Sequence, residues 1–208
     1  MHFKARAAAA AADRALQAKL GTAKALFVDG RKRAVAEIDL EATRSASQAI
    51  RDTCIGNLDL WLERFETEAT QRGAQVLWAR DGAEICRLVT EIARRHGVKK
   101  AIKSKSMLSE EADLNAALEA AGVQPVETDL GEYILQINGN ERPSHIIAPA
   151  IHKTKEEVAE LFERVHKKPR KTDIAEMTRE AREMLRAHFL SADMGISGGN
   201  FLVAETGS

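Results

Sequence analysis

The feature that most constrains the fold of this chain is the alternation of short apolar segments with amphipathic helical segments. Apolar segments at residues 75–78, 100–103, 125–127, 145–148 and 201–204 predict five strands, and the segments between them carry apolar residues at helical spacing. Strands separated by helices need crossover connections, which favour parallel pairing. The sequence therefore predicts an α/β fold with a mostly parallel sheet flanked by helices.

Capping and helix-ending residues support this alternation. Asp81 with Glu84, and Thr154 with Glu157, have the three-residue spacing of a capping box at the start of a helix. A long amphipathic helix is predicted over residues 44–71, and Thr172 is predicted to open the last helix. The predicted helix ends are marked by Gly73, Gly97, Gly122 and Pro169.

The chain divides into two regions by composition. Residues 1–43 are rich in Ala and basic residues, and they predict an N-terminal helical arm that packs on a partner. Residues 44–208 predict a single α/β domain. Because the sequence stops just after an apolar segment, we expect this domain to be C-terminally truncated and to self-associate through an uncovered part of its sheet.

Charge and hydropathy exclude several classes of function. The chain of 208 residues has 31 basic and 31 acidic residues, so no long-range field favours nucleic acid or an anionic membrane. No segment resembles a membrane span or a signal peptide, which predicts a cytoplasmic protein. Cys54 and Cys86 form neither a Cys-x-x-Cys pair nor a disulfide framework, and we expect both to be buried, inert thiols.

Ligands of parallel α/β sheets bind beyond the carboxyl ends of the strands, so the loops that follow the strands are the candidate sites. The loop after the second strand could bind a phosphate or carboxylate through cations, hydroxyls and a helix N-terminus. The alternative is a solvated turn in which Ser106 or Ser109 caps the next helix. The predicted anion-binding residues of this loop are Lys103, Ser104, Lys105 and Ser106.

The loop after the third strand contains three carboxylates, Glu127, Asp129 and Glu132. They could perform acid–base chemistry or bind a metal, although Asp129 is equally suited to cap a helix. The spacing of histidines and cysteines predicts no metal centre in this chain.

Two further positions follow predicted strands. His152 and Lys153 lie in the exit loop of the fourth strand and are predicted ligand contacts, whereas His145 is predicted to be structural. Glu205 follows the fifth strand and could act as a nucleophile or base, or it could be an ordinary turn carboxylate.

Several phrases of the sequence resemble one family. They are NLD (57–59), IARRHGV (92–98), KSKSM (103–107) with SEE (109–111), ETDLGEY (127–133), SHIIAPAIHKT (144–154), ADMGI (192–196) and AETG (204–207). Together they cover about residues 45–208. On these phrases the chain resembles the LUD (lactate-utilisation) domain family of iron–sulfur proteins.

The resemblance implies a fold similar to that of the sugar-phosphate isomerase and CoA-transferase group. It also implies a role in a cytoplasmic system in which an electron-transfer subunit works with two other lactate-utilisation subunits to oxidise L-lactate to pyruvate. In the family, a ferredoxin-like region with clustered cysteines carries [4Fe-4S] centres, and nothing in these 208 residues matches that region. We therefore expect no cofactor in this fragment, [4Fe-4S] clusters in the full-length protein, and no redox activity of the fragment alone.

An alternative reading is an autonomous enzyme of acyl, CoA or phosphosugar chemistry. In that reading Glu205 is the nucleophile or base, and the loop from Lys103 to Ser106 holds an anionic group. A plain nucleotide-binding module is disfavoured because the sequence has no glycine-rich phosphate-binding loop.

Overall fold

The structure is a computed structural model that describes residues 3–208, apart from the side chains of Thr22, Ala23 and Leu26. The described residues form two compact units. The first comprises residues 3–20 and 79–198, and the second comprises residues 21–78 and 199–208. No helix among these residues is both long enough and apolar enough to cross a membrane.

The first unit is built on a small parallel sheet. Its strands are β1 (Lys100–Lys103), β2 (Gln124–Glu127) and β3 (Met194–Ile196), in the order β2-β1-β3. Parallel register aligns Lys103 of β1 with both Glu127 of β2 and Ile196 of β3. The strands predicted at residues 100–103 and 125–127 are therefore confirmed, and so is the α/β class.

Eleven α-helices account for most of the described residues. In chain order they are α1 (Phe3–Ala12), α2 (Arg14–Lys24), α3 (Gly30–Val35), α4 (Leu40–Gly56), α5 (Leu58–Gln71), α6 (Gly82–Arg95), α7 (Met107–Glu111), α8 (Leu114–Ala120), α9 (Leu130–Ile137), α10 (Lys155–His166) and α11 (Ile174–Ser191). A π-helical turn, Ala25–Asp29, precedes α3. The arm and its boundary at residue 43 stay predictions, and residues 1 and 2 lie outside the described part.

The core of the first unit lies on both faces of the sheet. Adjacent residues of a strand point to opposite faces, so Ala101 joins the cluster formed by α6 and α8, whereas Ile102 packs against the cluster of α9, α10 and α11. The helices therefore flank the sheet on both sides, as the alternating pattern predicts. The first cluster includes Ala93, Leu114 and Leu118, and the second includes Tyr133, Phe162, Met177 and Leu185.

The two helix starts predicted from capping pairs are confirmed, whereas the helix predicted to begin at residue 44 begins at Leu40. The Asp81 carboxylate accepts a hydrogen bond from the Glu84 amide at 2.8 Å. Thr154 and Glu157 form a complete capping box at the start of α10. The last helix begins one residue later than predicted, because Asp173 rather than Thr172 caps it. A carboxylate accepts the first free amides of a helix as well as a hydroxyl does.

Three of the five predicted strands are wrong. Residues 75–78 form no strand, and Leu77 and Trp78 are exposed. Residues 201–204 instead lead into a turn in which the Gly207 amide donates to the Val203 carbonyl at 2.8 Å. Apolar character alone does not create a strand without a neighbouring strand to accept its hydrogen bonds.

The third wrong strand, at residues 145–148, has a specific local cause. His145 Nδ1 accepts hydrogen bonds from the amides of Ile147 and Ala148, each at 3.1 Å. A side chain that binds nearby backbone amides competes with the ladder of a sheet. The third strand of the sheet is instead Met194–Ile196, which is short and contains a glycine.

The predicted helix over residues 44–71 is divided in the second unit. Helix α4 ends at Gly56, and α5 begins at Leu58, with Asn57 in a non-helical conformation between them. Gly207 also lies in this unit, with φ of +65°, and a Cβ there would come within 2.2 Å of the Ala69 amide nitrogen. Only glycine fits so close to α5.

Candidate functional site

A cavity of about 520 Å³ lies at the carboxyl ends of β1 and β2. Lys103 and Glu127, the last residues of these strands, line it, with Leu114 and Asn115 of α8 and Leu135 of α9. This is the position at which parallel α/β sheets bind ligands, and the volume lies in the ordinary range of small-molecule sites. The cavity is therefore the candidate functional site.

A buried ion pair forms one part of the lining. Lys103 Nζ lies 2.8 Å from Glu127 Oε1 and donates to Ser109 Oγ at 3.1 Å. The same Glu127 oxygen accepts from Asn115 Nδ2 at 2.7 Å. Lys103 is 1% exposed and Glu127 is 5% exposed, so both charges depend on this network rather than on water.

A second cation is held between two carboxylates. Lys105 Nζ lies 3.0 Å from Glu110 Oε1 and also pairs with Glu132. Burial lowers the pKa of Lys105, but hydrogen bonds and charge from Glu132 and Glu110 outweigh it and raise the pKa above its usual value. Burial raises the pKa of Glu132, with a contribution from the charge of Glu110. The ammonium is therefore firmly charged and already paired.

The two serines of the predicted anion loop have structural partners. Ser106 caps α7 by accepting from the Ser109 amide at 3.3 Å, as the alternative reading of this loop proposed. Ser104 Oγ donates to Ser197 Oγ at 3.1 Å. An anion at this loop would have to compete with the carboxylates on Lys103 and Lys105, and the anion site stays a prediction.

The three carboxylates predicted for acid–base chemistry occupy different surroundings. Glu127 and Glu132 line the cavity. Asp129 caps α9 by accepting from the Glu132 amide at 3.2 Å. In the described part of the chain, these carboxylates belong to no group of three or more ligands arranged to hold a metal ion. Their acid–base role stays a prediction.

His152 and Lys153 converge on one residue of the cavity wall, Glu141. His152 Nε2 lies 2.7 Å from Glu141 Oε1, and Lys153 Nζ lies 2.6 Å from Glu141 Oε2. His152 Nδ1 is hydrogen-bonded to Ser144 Oγ at 2.6 Å. Burial raises the pKa of Glu141, but hydrogen bonds from Lys153, Asn138 and His152 outweigh it and hold the pKa at about 2.

Glu205 belongs to the second unit, where it is exposed in a turn. Its catalytic role stays a prediction. The cavity is also lined by Asn115, Glu141 and Arg142, which no sequence pattern predicts. None of the three directly follows a predicted strand, where ligand contacts of a parallel sheet are expected. The feature of the sequence that could have indicated Glu141 and Arg142 is the short, polar segment in which they lie.

Comparison with known proteins identifies the family. The LUD domain family matches residues 62–208, which is more than half of the chain. The chain belongs to the LUD domain family. No solved structure matches it.

Two curated relatives of this LUD domain carry the same name. The chain is 45% identical over 168 residues to Lactate utilization protein B of Geobacillus kaustophilus (strain HTA426), an alignment that covers 81% of the chain and 35% of that relative. It is 42% identical over 168 residues to Lactate utilization protein B of Bacillus subtilis (strain 168), with 81% and 35% coverage. The chain thus spans about a third of the length of the curated relatives it matches.

The cysteines of this LUD domain do not fit an iron–sulfur cluster. Cys54 lies in α4 and is exposed, which contradicts the expectation that both thiols are buried. Cys86 lies in α6, is partly buried, and donates to the Ala112 carbonyl at 3.1 Å. Burial raises the pKa of Cys86, with a contribution from the charge of Asp113, so the thiolate that binds iron is disfavoured. A [4Fe-4S] cluster normally needs four thiolates.

Proposed function

We propose that this LUD domain serves lactate utilisation as part of an iron–sulfur electron-transfer subunit. In this proposal the full protein passes electrons in a cytoplasmic system that oxidises L-lactate to pyruvate, together with two other lactate-utilisation subunits. The observation that carries the proposal is the 45% identity, over 81% of the chain, to a relative named Lactate utilization protein B. The name of this relative supports a role in lactate utilisation. The electron-transfer role is a further step of the proposal, which the name itself does not state.

Within that system, the proposed role of the domain is docking and ligand binding rather than electron transfer. Cys54 and Cys86 cannot supply the thiolates of a cluster, so we expect the cluster ligands to lie elsewhere in the full-length protein. The cavity at the ends of β1 and β2 gives the domain a place to bind a small molecule.

Reconstitution with iron and sulfide tests this proposal. We expect the 208-residue chain to stay colourless, and the full-length protein to acquire charge-transfer absorption that L-lactate bleaches when both partner subunits are present. A Cys54→Ala, Cys86→Ala double variant of the full-length protein should give the same spectrum. A stoichiometric cluster on the 208-residue chain, or no cluster on the full-length protein, would contradict the proposal.

A second candidate function, acyl transfer or hydrolysis, is favoured by the hydrogen-bonded chain of Ser144, His152 and Glu141. An activated nucleophile needs a base within hydrogen-bond reach and a third group that orients the base. Ser144 is exposed, and the low pKa of Glu141 keeps its carboxylate ionised beside His152.

A fluorophosphonate probe separates the two candidate functions. Acyl chemistry predicts covalent labelling of Ser144, located by peptide mass spectrometry, with loss of labelling in Ser144→Ala and a strong decrease in His152→Gln. A Glu205→Gln variant in an ester hydrolysis assay tests the other predicted nucleophile. A folded chain that neither reacts with the probe nor hydrolyses esters would leave the electron-transfer proposal alone.

A further inference from the structure

A second cavity, of about 250 Å³, lies among helices α9, α10 and α11 of the first unit. It shares no lining residue with the cavity at the ends of β1 and β2. Its most buried lining residues are Ile134, Phe162 and Met177, which also belong to the core cluster on this face of the sheet. These three residues keep between 3% and 7% of their surface exposed. A molecule in the cavity can therefore contact the core directly.

The more exposed part of the lining is also apolar. Leu130 and Ile174, the first residues of α9 and α11, are 39% and 66% exposed, and Val158 of α10 is partly buried. Covering such aliphatic side chains removes apolar surface from water, which is favourable. The cavity thus offers a continuous apolar lining to a ligand with an alkyl chain.

The charged residues of the lining are both lysines, Lys153 and Lys155, and none of the described residues that line this cavity is a carboxylate. The Lys153 ammonium is held by Glu141 at 2.6 Å, so this residue offers the cavity its aliphatic stem. The Lys155 side chain is 44% exposed, and its ammonium lies 3.7 Å from Glu156 Oε1. Because such a long, exposed ion pair contributes little, the Lys155 ammonium can turn to a ligand at small cost.

The carboxylates that begin the same three helices are engaged by their own backbones. Asp129 accepts from the Glu132 amide at 3.2 Å, and Asp173 accepts from the Glu176 amide at 3.0 Å. Glu157 accepts from the Thr154 amide and from Lys19. The charged group that remains available to a ligand at this cavity is therefore the Lys155 ammonium.

We propose that this cavity binds an amphipathic carboxylate with an unbranched alkyl chain, of which octanoate is an example. The chain lies against Ile134, Phe162 and Met177, and the carboxylate pairs with the Lys155 ammonium. The volume is below the roughly 300 Å³ at which sites for drug-sized ligands begin, which favours a single alkyl chain over a nucleotide or a ring system. The inference goes beyond the proposed function and does not depend on it.

Calorimetric titration of the 208-residue chain with sodium octanoate at neutral pH tests the inference. We expect saturable binding, and roughly tenfold weaker binding of hexanoate because its chain is shorter by two methylene groups. Octanoate should bind more tightly than 1-octanol, and 1-octanol more tightly than 1-octylammonium, since only octanoate pairs with Lys155. Raising the sodium chloride concentration should reduce the preference for octanoate over 1-octanol because salt screens an exposed ion pair.

A substitution that fills the cavity tests the location of the alkyl chain. Thr178 lines the cavity from an exposed position on α11, so Thr178→Phe can place a ring in the cavity with little risk to the fold. We expect this variant to lose at least tenfold in affinity for both octanoate and 1-octanol. Ala175→Phe is the matched control, because Ala175 is exposed on the same helix and does not line the cavity.

A charge substitution tests the position of the carboxylate. Lys155→Gln should weaken octanoate binding about threefold, as for an exposed ion pair, and should leave 1-octanol binding unchanged. Lys99→Gln makes the same change of net charge at an exposed residue outside the lining, and it should affect neither ligand. Thermal melts establish that each variant is folded.

Three results would overturn the inference: no saturable binding of octanoate, equal affinity for octanoate and 1-octylammonium, or unchanged octanoate affinity in folded Thr178→Phe. Each would leave the lactate-utilisation proposal untouched, because that proposal is tested by cluster formation in the full-length protein.

Discussion

Lys103 and Glu127 are register partners at the last positions of two parallel strands, and their side chains form a buried ion pair at 2.8 Å. Removing one member leaves the other charge buried without compensation. We expect Lys103→Met to lower the free energy of unfolding by about 3–5 kcal/mol. Urea denaturation at neutral pH measures this change.

The double variant Lys103→Met, Glu127→Leu provides the control for this prediction. Replacing both charges with apolar groups of similar size removes the desolvation penalty together with the attraction. The double variant should therefore lose less free energy of unfolding than Lys103→Met alone. If the losses of Lys103→Met and of Glu127→Leu add up to the loss of the double variant, the two side chains do not interact.

Glu141 should make stability depend on acid pH. The pKa of Glu141 in the folded chain is about 2. An unpaired glutamate titrates near 4.3. A depressed folded-state pKa stabilises the fold fully above about pH 4.3, and that stabilisation is lost as the pH falls toward about 2. We expect Glu141→Gln to cost about 1–2 kcal/mol at pH 6, allowing for partial exposure, and progressively less toward pH 3.

Urea unfolding at several pH values between 3 and 6 checks this prediction. Glu111→Gln is the matched control, since Glu111 forms no ion pair among the described residues. A difference between Glu141→Gln and the unmodified chain that stays constant across this pH range would contradict the assignment of the low pKa.

The capping box at the start of α10 should contribute measurably to stability. Thr154 Oγ1 accepts from the Glu157 amide at 3.1 Å, and the Glu157 carboxylate accepts from the Thr154 amide at 2.6 Å. We expect Thr154→Ala to lower the free energy of unfolding by about 1 kcal/mol, as for other caps, and Thr154→Ser to restore most of it. Equal thermal stability of Thr154→Ala and Thr154→Ser would show that the hydroxyl contributes nothing.

Local signals in the sequence predicted the parts of the fold that depend on neighbouring residues. The cap at Asp81 and the box at Thr154 depend on groups three residues away, which sequence spacing encodes. Strand pairing depends on distant partners. Residues 145–148 have the apolar content of a strand, yet the His145 ring accepts the hydrogen bonds of the Ile147 and Ala148 amides. Met194–Ile196 is too short for periodicity to reveal, and it pairs only because β1 is available.

The sequence predicts several residues of the candidate site, but it does not predict which of them pair with one another. Lys103 and Glu127 each end a predicted strand, but the sequence predicts Lys103 as an anion contact and Glu127 as an acid–base group. Only the register of β1 and β2 places them opposite one another. No sequence pattern predicts the hydrogen bond from Asn115 to Glu127, because this bond depends on how α8 packs near the end of β2.

Lys105 provides the sharpest test of the predicted anion site. Its ammonium lies between Glu110 and Glu132, so an anion must displace a carboxylate to reach it. Glu110→Gln removes one competing charge and should strengthen phosphate binding severalfold, whereas Lys105→Ala should abolish it. Calorimetric titrations with lactate, pyruvate, phosphate and CoA at two ionic strengths measure both effects, and thermal melts establish folding. Equal phosphate affinity in the unmodified chain and in both variants would exclude Lys105 as an anion contact. Stronger binding in Glu110→Gln alone would show that the carboxylates, and not the shape of the loop, limit anion affinity.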